Sequence, residues 1–308
     1  MTLLRIATRR SALALWQANH VADLLRERHP GLTVSLLPMT TTGDRIQDRP
    51  LSAVGGKGLF IKELEHARLA GDAELAVHSM KDMPALLPDD LVIGAVLPRA
   101  DPRDAFVANH FTRFADLPTN ARVGTSSLRR QSILAAARPD LQMLPLRGNV
   151  DTRLKKLDDG EFDAIVLAAA GLIRLGLSAR ITEAMDTTLS LPAVGQGIVG
   201  IECRNDHRVL AYLQPLNDPD TIDCLSAERA FSARLDGSCS SPIAGFAQLK
   251  KNQLELAGLV AHPNGRLIFR DHIKGRRQDA AALGRTLAER LLAAGADSLL
   301  TELREKAP

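Results

Sequence analysis

Along the first two-thirds of the chain, short apolar runs alternate with segments whose apolar positions recur every three or four residues. Residues 3–8 read as a buried strand. Ser11 is placed to cap a helix in which Ala14, Ala18, Val21 and Leu25 share one face. His29-Pro30-Gly31 ends that helix, and residues 32–39 read as the next strand. A helix near residues 60–70 and strands at 75–78 and 91–97 complete a first series. A second series starts near residue 103. It contains strand 122–124 running into a helix, strand 141–146, helix 150–157 and strand 162–168. This alternation predicts an α/β architecture of parallel sheets covered by helices. Residues 98–102 and 191–197 read as hinges between two such lobes.

The C-terminal part has a different rhythm. A helix is predicted over 220–235, and antiparallel strands over 243–249, 253–261 and 266–273. Pro263-Asn264-Gly265 supplies a hairpin turn. Leu283, Leu287 and Leu291 then line one helix face, with Asp279 as its cap and Gly295 as its stop. This is a third, smaller α+β domain.

Composition narrows the function. A chain of 308 residues has room for two or three domains. Aromatic residues are only 3%, so the cores must use Leu, Ile, Val and Ala, and stacking platforms for single-stranded nucleic acid are scarce. The net charge of +3 gives no general pull toward membranes or DNA. Arg5 interrupts the first apolar run, so no signal-peptide core is expected, and no apolar stretch is long enough to span a bilayer. Cys203, Cys224 and Cys239 lack CxxC spacing, which predicts free thiols in a reducing cytoplasm.

Two glycine-rich segments suggest nucleotide binding and fail on context. Gly195-Gln196-Gly197-Ile198-Val199-Gly200 matches GxGxxG, but residues 198–203 read as a strand where a helix is required. Gly55-Gly56-Lys57-Gly58 lacks the Ser or Thr of a phosphate loop. It is either a mobile loop or a lid whose Lys57 reaches an anion.

The strand ends are more informative. Gly124-Thr125-Ser126-Ser127-Leu128-Arg129-Arg130 sits at a strand-to-helix junction, where free N–H groups and paired arginines favour an anion. A plain helix cap with two solvated arginines explains the same residues. Arg147-Gly148-Asn149-Val150-Asp151-Thr152-Arg153 repeats the pattern; Arg9 and Arg174 also follow strands. Ligands of open α/β sheets lie outside the strands' C-terminal ends, so these arginines together suggest a cleft for a polyanion. Asp82, in His78-Ser79-Met80-Lys81-Asp82-Met83-Pro84, is either a turn former or a carboxylate that stabilises developing positive charge. Cys239, in Gly237-Ser238-Cys239-Ser240-Ser241, is an accessible thiol: unmodified, or an attachment point.

Taken in order, these blocks resemble the porphobilinogen deaminase family. Arg5-Ile6-Ala7-Thr8-Arg9, Leu13-Ala14-Leu15-Trp16-Gln17, Val54 to Phe60, Ala76 to Pro84, Asp101 to Phe106, Gly124 to Arg130, Leu146 to Val150, Leu191 to Gly197 and the Cys239 loop carry the match. The resemblance implies two lobes like those of periplasmic binding proteins and a third, smaller domain presenting the cysteine. The first lobe would be discontinuous, residues 1–97 plus 198–216, with a returning strand. The second would span 103–191 and the third 220–308.

The implied reaction is a transfer: four porphobilinogen molecules join head to tail, each losing ammonia, to give the linear tetrapyrrole hydroxymethylbilane. The implied cofactor is a dipyrromethane primer held by a thioether to Cys239. Asp82 matches the catalytic carboxylate, and Ser79, Lys81, Thr125, Ser127, Arg129, Arg130, Arg147 and Gly148 match cofactor contacts. Arg9, Ser11, Phe60, Arg153, Arg174 and Gln196 match substrate contacts, and Lys57 belongs to the lid. No metal is implied. Ala53 departs from the lysine many members carry in the lid, and Ser240-Ser241 replaces larger residues after the cysteine. The implied protein is a cytoplasmic monomer that binds porphobilinogen, without nucleic acid or membrane. A non-catalytic anion-binding protein would share the two lobes but normally needs an export signal. Nucleic-acid binding through Arg129-Arg130 is disfavoured by the few aromatics.

Overall fold

The structure, a computed structural model, describes residues 3–45, 61–237 and 241–305. Ala53, Lys57, Phe60, Cys239 and Ser240 lie outside the described residues. The chain begins with β1 (Leu3–Arg9), α1 (Ala12–Arg28), β2 (Thr33–Met39), the single turn α2 (Thr42–Arg45), α3 (Lys62–Leu69), β3 (Leu75–Ser79) and β4 (Leu91–Val96). It crosses to β5 (Asp104–Val107), β6 (Arg122–Gly124), α4 (Leu128–Ala137), β7 (Gln142–Leu144), α5 (Val150–Asp158), β8 (Ala164–Ala168), α6 (Ala169–Arg174) and β9 (Glu183–Ala184). It returns as β10 (Val199–Arg204) and α7 (His207–Leu213). It closes with α8 (Pro219–Arg234), β11 (Ile243–Lys250), β12 (Gln253–Ala261), β13 (Ile268–Arg276), α9 (Ala280–Leu291) and α10 (Asp297–Glu305).

Two five-stranded sheets, ordered β2-β1-β3-β10-β4 and β7-β6-β8-β5-β9, carry the lobes. They are mixed rather than parallel. β10 runs antiparallel to both β3 and β4, and β5 runs antiparallel to β8 and β9. The alternation of strand and helix counts βα units, which are parallel. A strand that enters a sheet from a crossover segment is under no such constraint. The third sheet is the antiparallel β11-β12-β13, with the hairpin turn at Gly265.

Each sheet buries an aliphatic core. Ile6, Val21, Leu25 and Ile201 serve the first lobe, Val123, Leu134 and Val166 the second, and Phe231, Leu254 and Leu287 the third. At the C-terminus Gly295 is a kink rather than a stop. Its φ of +113° turns the chain, and α10 continues beyond it to bury Leu299 and Leu300. Asp279 does not cap α9 through its side chain; its carboxylate accepts from Arg276 at 2.9 Å instead.

A buried knot joins the crossovers to the third domain. Glu228 of α8 accepts from Nη2 of Arg99 at 2.8 Å, from the Ala247 N–H at 2.7 Å and from the Gly195 N–H at 2.7 Å. Arg99 also donates to the Ala247 carbonyl and lies over the Phe246 ring. Burial raises the Glu228 carboxyl against the pull of Arg99. Arg99→Leu is therefore expected to cost about 2–3 kcal/mol of unfolding free energy in urea denaturation, because Glu228 keeps two backbone donors and can take up a proton. A loss below about 0.5 kcal/mol would mean that the pair contributes nothing net.

Candidate active site

The lobes present strand ends to a common cleft of about 570 Å³. β1 ends at Arg9, and the Ser11 hydroxyl then caps α1 by accepting from the Ala14 N–H. β3 ends at Ser79 and passes into a single tight turn carrying Lys81 and Asp82. Ser127 caps α4 and Asn149 caps α5, each accepting from a backbone N–H three residues on. Gly148 has a φ of +114°, and a Cβ there would come within 2.7 Å of the Thr152 side chain. Its carbonyl accepts from Nε of Arg153 at 2.7 Å, so this glycine sets the turn that aims Arg153.

Arg129 and Arg130 are neither solvated nor free. Both are buried and converge on Asp104, at the start of β5. Arg129 reaches both carboxylate oxygens at 2.8 and 3.0 Å, and Arg130 reaches one oxygen through Nε and Nη2 at 2.9 and 2.8 Å. Ser190 Oγ and Gln196 Nε2 add donors to the same carboxylate. Burial alone would raise the Asp104 carboxyl, but the two guanidiniums hold it far below the ordinary carboxylate range. Two buried guanidiniums require a counter-charge. One carboxylate against two cations still leaves the cluster net positive. Arg9 is likewise paired, with Asp44, whose carboxylate also accepts from the Thr41 hydroxyl.

Lys81, Arg153 and Arg174 line the cleft with no carboxylate at ion-pair distance among the described residues. Arg153 and Arg174 each donate one hydrogen bond to a backbone carbonyl, Gly148 and Gly197 respectively. Burial, with Arg130 and Arg147 adding, pushes Arg153 down to about 10. Burial pushes the Lys81 ammonium down to about 8, with Asp82 opposing. Asp82 is the carboxylate common to this group: it acts on Lys81, Arg130 and Arg153. It makes no hydrogen bond of its own to a described side chain. Arg147 also lines the cleft.

Two buried polar atoms in the cleft wall have no hydrogen-bond partner, Nε of Arg129 and Oε1 of Gln196. Gln196 gives its amide nitrogen to Pro102 and Asp104, so its oxygen is left as an acceptor. A wall of unneutralised cations with a spare acceptor fits a ligand bearing several carboxylates and N–H groups, as a dipyrromethane does. One expected contact does not line the cleft: Thr125 is buried behind it, with its hydroxyl accepting from the Ser127 N–H at 3.2 Å. Ser79 does line it, with its hydroxyl accepting from Gln17 of α1 at 2.8 Å.

Sequence reasoning missed Asp104, Gln17, Asp44 and Arg229. Asp104 carried a signal, a carboxylate directly before the apolar run Ala105-Phe106-Val107. Gln17 also carried one, a polar residue on the apolar face of α1. Arg229 reaches the cleft from α8 and donates to the Ala85 carbonyl at 2.8 Å; nothing local marks it.

Fold and site define a two-lobed α/β protein with an arginine-lined cleft in which Asp82, unlike Asp44, makes no ion pair among the described residues. Residues 4–211 match the family model described as porphobilinogen deaminase, dipyromethane cofactor binding domain. Residues 222–293 match porphobilinogen deaminase, C-terminal domain. Porphobilinogen deaminases of Bordetella parapertussis and Bordetella bronchiseptica are each 56% identical over 306 residues, covering 99% of this chain and 98% of theirs. Among solved structures, a periplasmic substrate-binding protein of an ABC transporter from Coxiella burnetii aligns with a TM-score of 0.45 and 15% identity, over 70% of this chain and 92% of that one. The chain belongs to the porphobilinogen deaminase family. It is a transferase of tetrapyrrole biosynthesis, and its first two lobes form a dipyrromethane-cofactor-binding domain.

Proposed function

We propose that the cleft holds the dipyrromethane through Ser79, Lys81, Ser127, Arg129, Arg130, Arg147 and Gly148, with Thr125 supporting these contacts. Arg9, Ser11, Phe60, Arg153, Arg174 and Gln196 receive the incoming porphobilinogen, with Lys57 serving from the lid. Cys239 is the tether. The observation that carries this reading is the gathering of Lys81, Arg153, Arg174 and the net-positive Arg129–Arg130–Asp104 cluster around Asp82 in one cleft. When bound, the dipyrromethane supplies the free pyrrole α-carbon that accepts the first porphobilinogen unit.

This chain's residues do the rest. The cations hold acetate and propionate groups while the chain extends to four units and hydroxymethylbilane is released. Asp82 accepts from pyrrole N–H groups, offsets the positive charge that develops as ammonia leaves, and takes up the proton lost from the α-carbon. The domains run 1–97 with 198–216, 103–191, and 220–308. The protein acts as a cytoplasmic monomer, without nucleic acid. No helix among the described residues is long and apolar enough to cross a membrane.

Intact mass tests the tether. The purified protein is expected to carry an adduct of two linked porphobilinogen units, and Cys239→Ser is expected to lack it. An active preparation of unmodified mass would remove Cys239 from this role.

Lys81 gives a pH prediction. Its ammonium, lowered to about 8, loses charge in the free enzyme as pH rises through that value. Its grip on the dipyrromethane carboxylates then weakens, so the rate of cofactor loading onto the apoprotein is expected to fall above about pH 8. In Lys81→Arg the charge persists and this alkaline limb is expected to disappear. An identical limb in both proteins would assign it to another group.

A further inference from the structure

The cleft arginines are held in place in different ways. Arg129 and Arg130 are fixed by Asp104, and Arg9 by Asp44; each pairing spends charge. Arg174 is fixed without a carboxylate. Its Nη2 donates to the Gly197 carbonyl at 2.8 Å, and its guanidinium carbon lies 5.8 Å from the centroid of the Trp16 indole. Trp16 belongs to α1 in the first lobe, Arg174 ends α6 in the second, and Gly197 lies in the crossover returning to β10. The Gly197 carbonyl also accepts from Ala100 of the other crossover at 3.1 Å. One guanidinium therefore touches both lobes and the hinge. Helices α1 and α6 meet closely beside it: a Cβ at Gly171 would lie 3.5 Å from Cδ2 of Leu13. Trp16 is 37% exposed, lies outside the cleft lining, and stacks on His20 with ring centroids 5.1 Å apart.

A ring face attracts a cation without neutralising it. A long, flexible arginine held this way keeps its full charge available to a ligand. We propose that Trp16 is a positioning residue for the transfer reaction, holding Arg174 across the lobe boundary by a cation–π contact so that Arg174 meets a substrate carboxylate pre-placed and uncompensated. This rests on the reading of Arg174 as a substrate-binding residue. Because the contact bridges the lobes, it also couples that grip to their relative position.

The test is steady-state kinetics on the cofactor-loaded enzyme, comparing Trp16→Leu, Trp16→Phe, Arg174→Leu and the Trp16→Leu/Arg174→Leu double variant. Trp16→Leu keeps apolar bulk and removes the ring. It is expected to raise KM for porphobilinogen about three- to tenfold, with kcat changed less than about twofold. Trp16→Phe is expected to recover most of the loss. The double variant is expected to be no worse than Arg174→Leu alone, since Trp16 acts through Arg174. Trp16 is the single tryptophan of the chain, so its emission is expected to shift on adding porphobilinogen and to lose that shift in Arg174→Leu. An unchanged KM in Trp16→Leu, or losses that add in the double variant, would overturn the role of Trp16. A normal KM in Arg174→Leu would instead overturn the reading of Arg174 itself.

Discussion

Replacing Asp82 by alanine is expected to lower kcat for porphobilinogen by about 10²–10⁴ while leaving the dipyrromethane adduct on the protein. The reason lies in the surroundings of this carboxylate. Lys81, Arg130 and Arg153 are close enough for Asp82 to oppose the loss of their charge, yet it is not consumed in a hydrogen bond to any described side chain. A carboxylate among cations that must hold an anionic substrate weakens that hold, so binding alone gives no reason to keep it. Its value comes when ammonia departs and positive charge appears on the pyrrole, because a fixed negative charge then stabilises the transition state more than the ground state. Asp82→Asn is expected to retain pyrrole N–H contacts and still lose most of the rate, having neither charge nor proton affinity. The measurement is single-turnover kinetics alongside intact mass. Turnover of Asp82→Ala within tenfold of the parent would take Asp82 out of the chemistry.

The second large effect is expected at Asp104. Asp104→Ala leaves Arg129 and Arg130 buried side by side with no hydrogen-bonded counter-charge, and is expected to cost about 3–5 kcal/mol of unfolding free energy. This exceeds the Arg99→Leu cost for a physical reason. A stranded carboxyl can neutralise itself by taking up a proton near neutral pH, whereas a stranded guanidinium cannot shed one. The pH dependence has a definite sign. The folded Asp104 carboxyl is held below its unfolded value, so its stabilisation is complete above the ordinary carboxylate range near 4 and is lost as pH falls below it. Stability of the parent is thus expected to fall more steeply with acid below about pH 4 than that of Asp104→Asn. Urea denaturation across pH 3–7 checks both statements. Parallel curves, or an Asp104→Ala loss under 1 kcal/mol, would show that the cluster is compensated in some other way.

Much of the site was legible because capping and turn chemistry are local. Ser11, Ser127 and Asn149 announce their helices within three residues. The GxGxxG match was correctly set aside, because a strand follows it. One of its glycines lets the two crossovers approach: at Gly197, φ is +86° and a Cβ would come within 2.7 Å of the Ala100 carbonyl oxygen. The arginines were found, but their states were not. Arg129 and Arg130 looked equally like a solvated cap or an open anion grip, and they are a buried cluster on Asp104. The alternation of strands and helices placed most elements of the first two lobes, but missed the short helices α2, α6 and α7, the edge strand β9 and the antiparallel direction of β5 and β10. It also missed α10, since a glycine with positive φ can bend a helical segment as well as end it.

From the chain alone came most of the strand and helix order, the starts of α1, α4 and α5, the family and the chemical oddity of Asp82 among basic residues. These are properties of neighbours a few positions apart, or of motifs read in order. Only the tertiary structure decided which charges compensate which. Asp104 meets Arg129 and Arg130 through the register of β5 beside β8, Glu228 meets Arg99 where the third domain seats on a crossover, and Arg174 meets Trp16 where α6 lies against α1. Such pairings depend on how separate sheets and helices pack in space, and a residue type at a given position carries no mark of what will lie opposite it. That is why the arginines of the cleft could be counted from the chain, while the ones left free to hold a carboxylate, Arg153 and Arg174, emerged only from the fold.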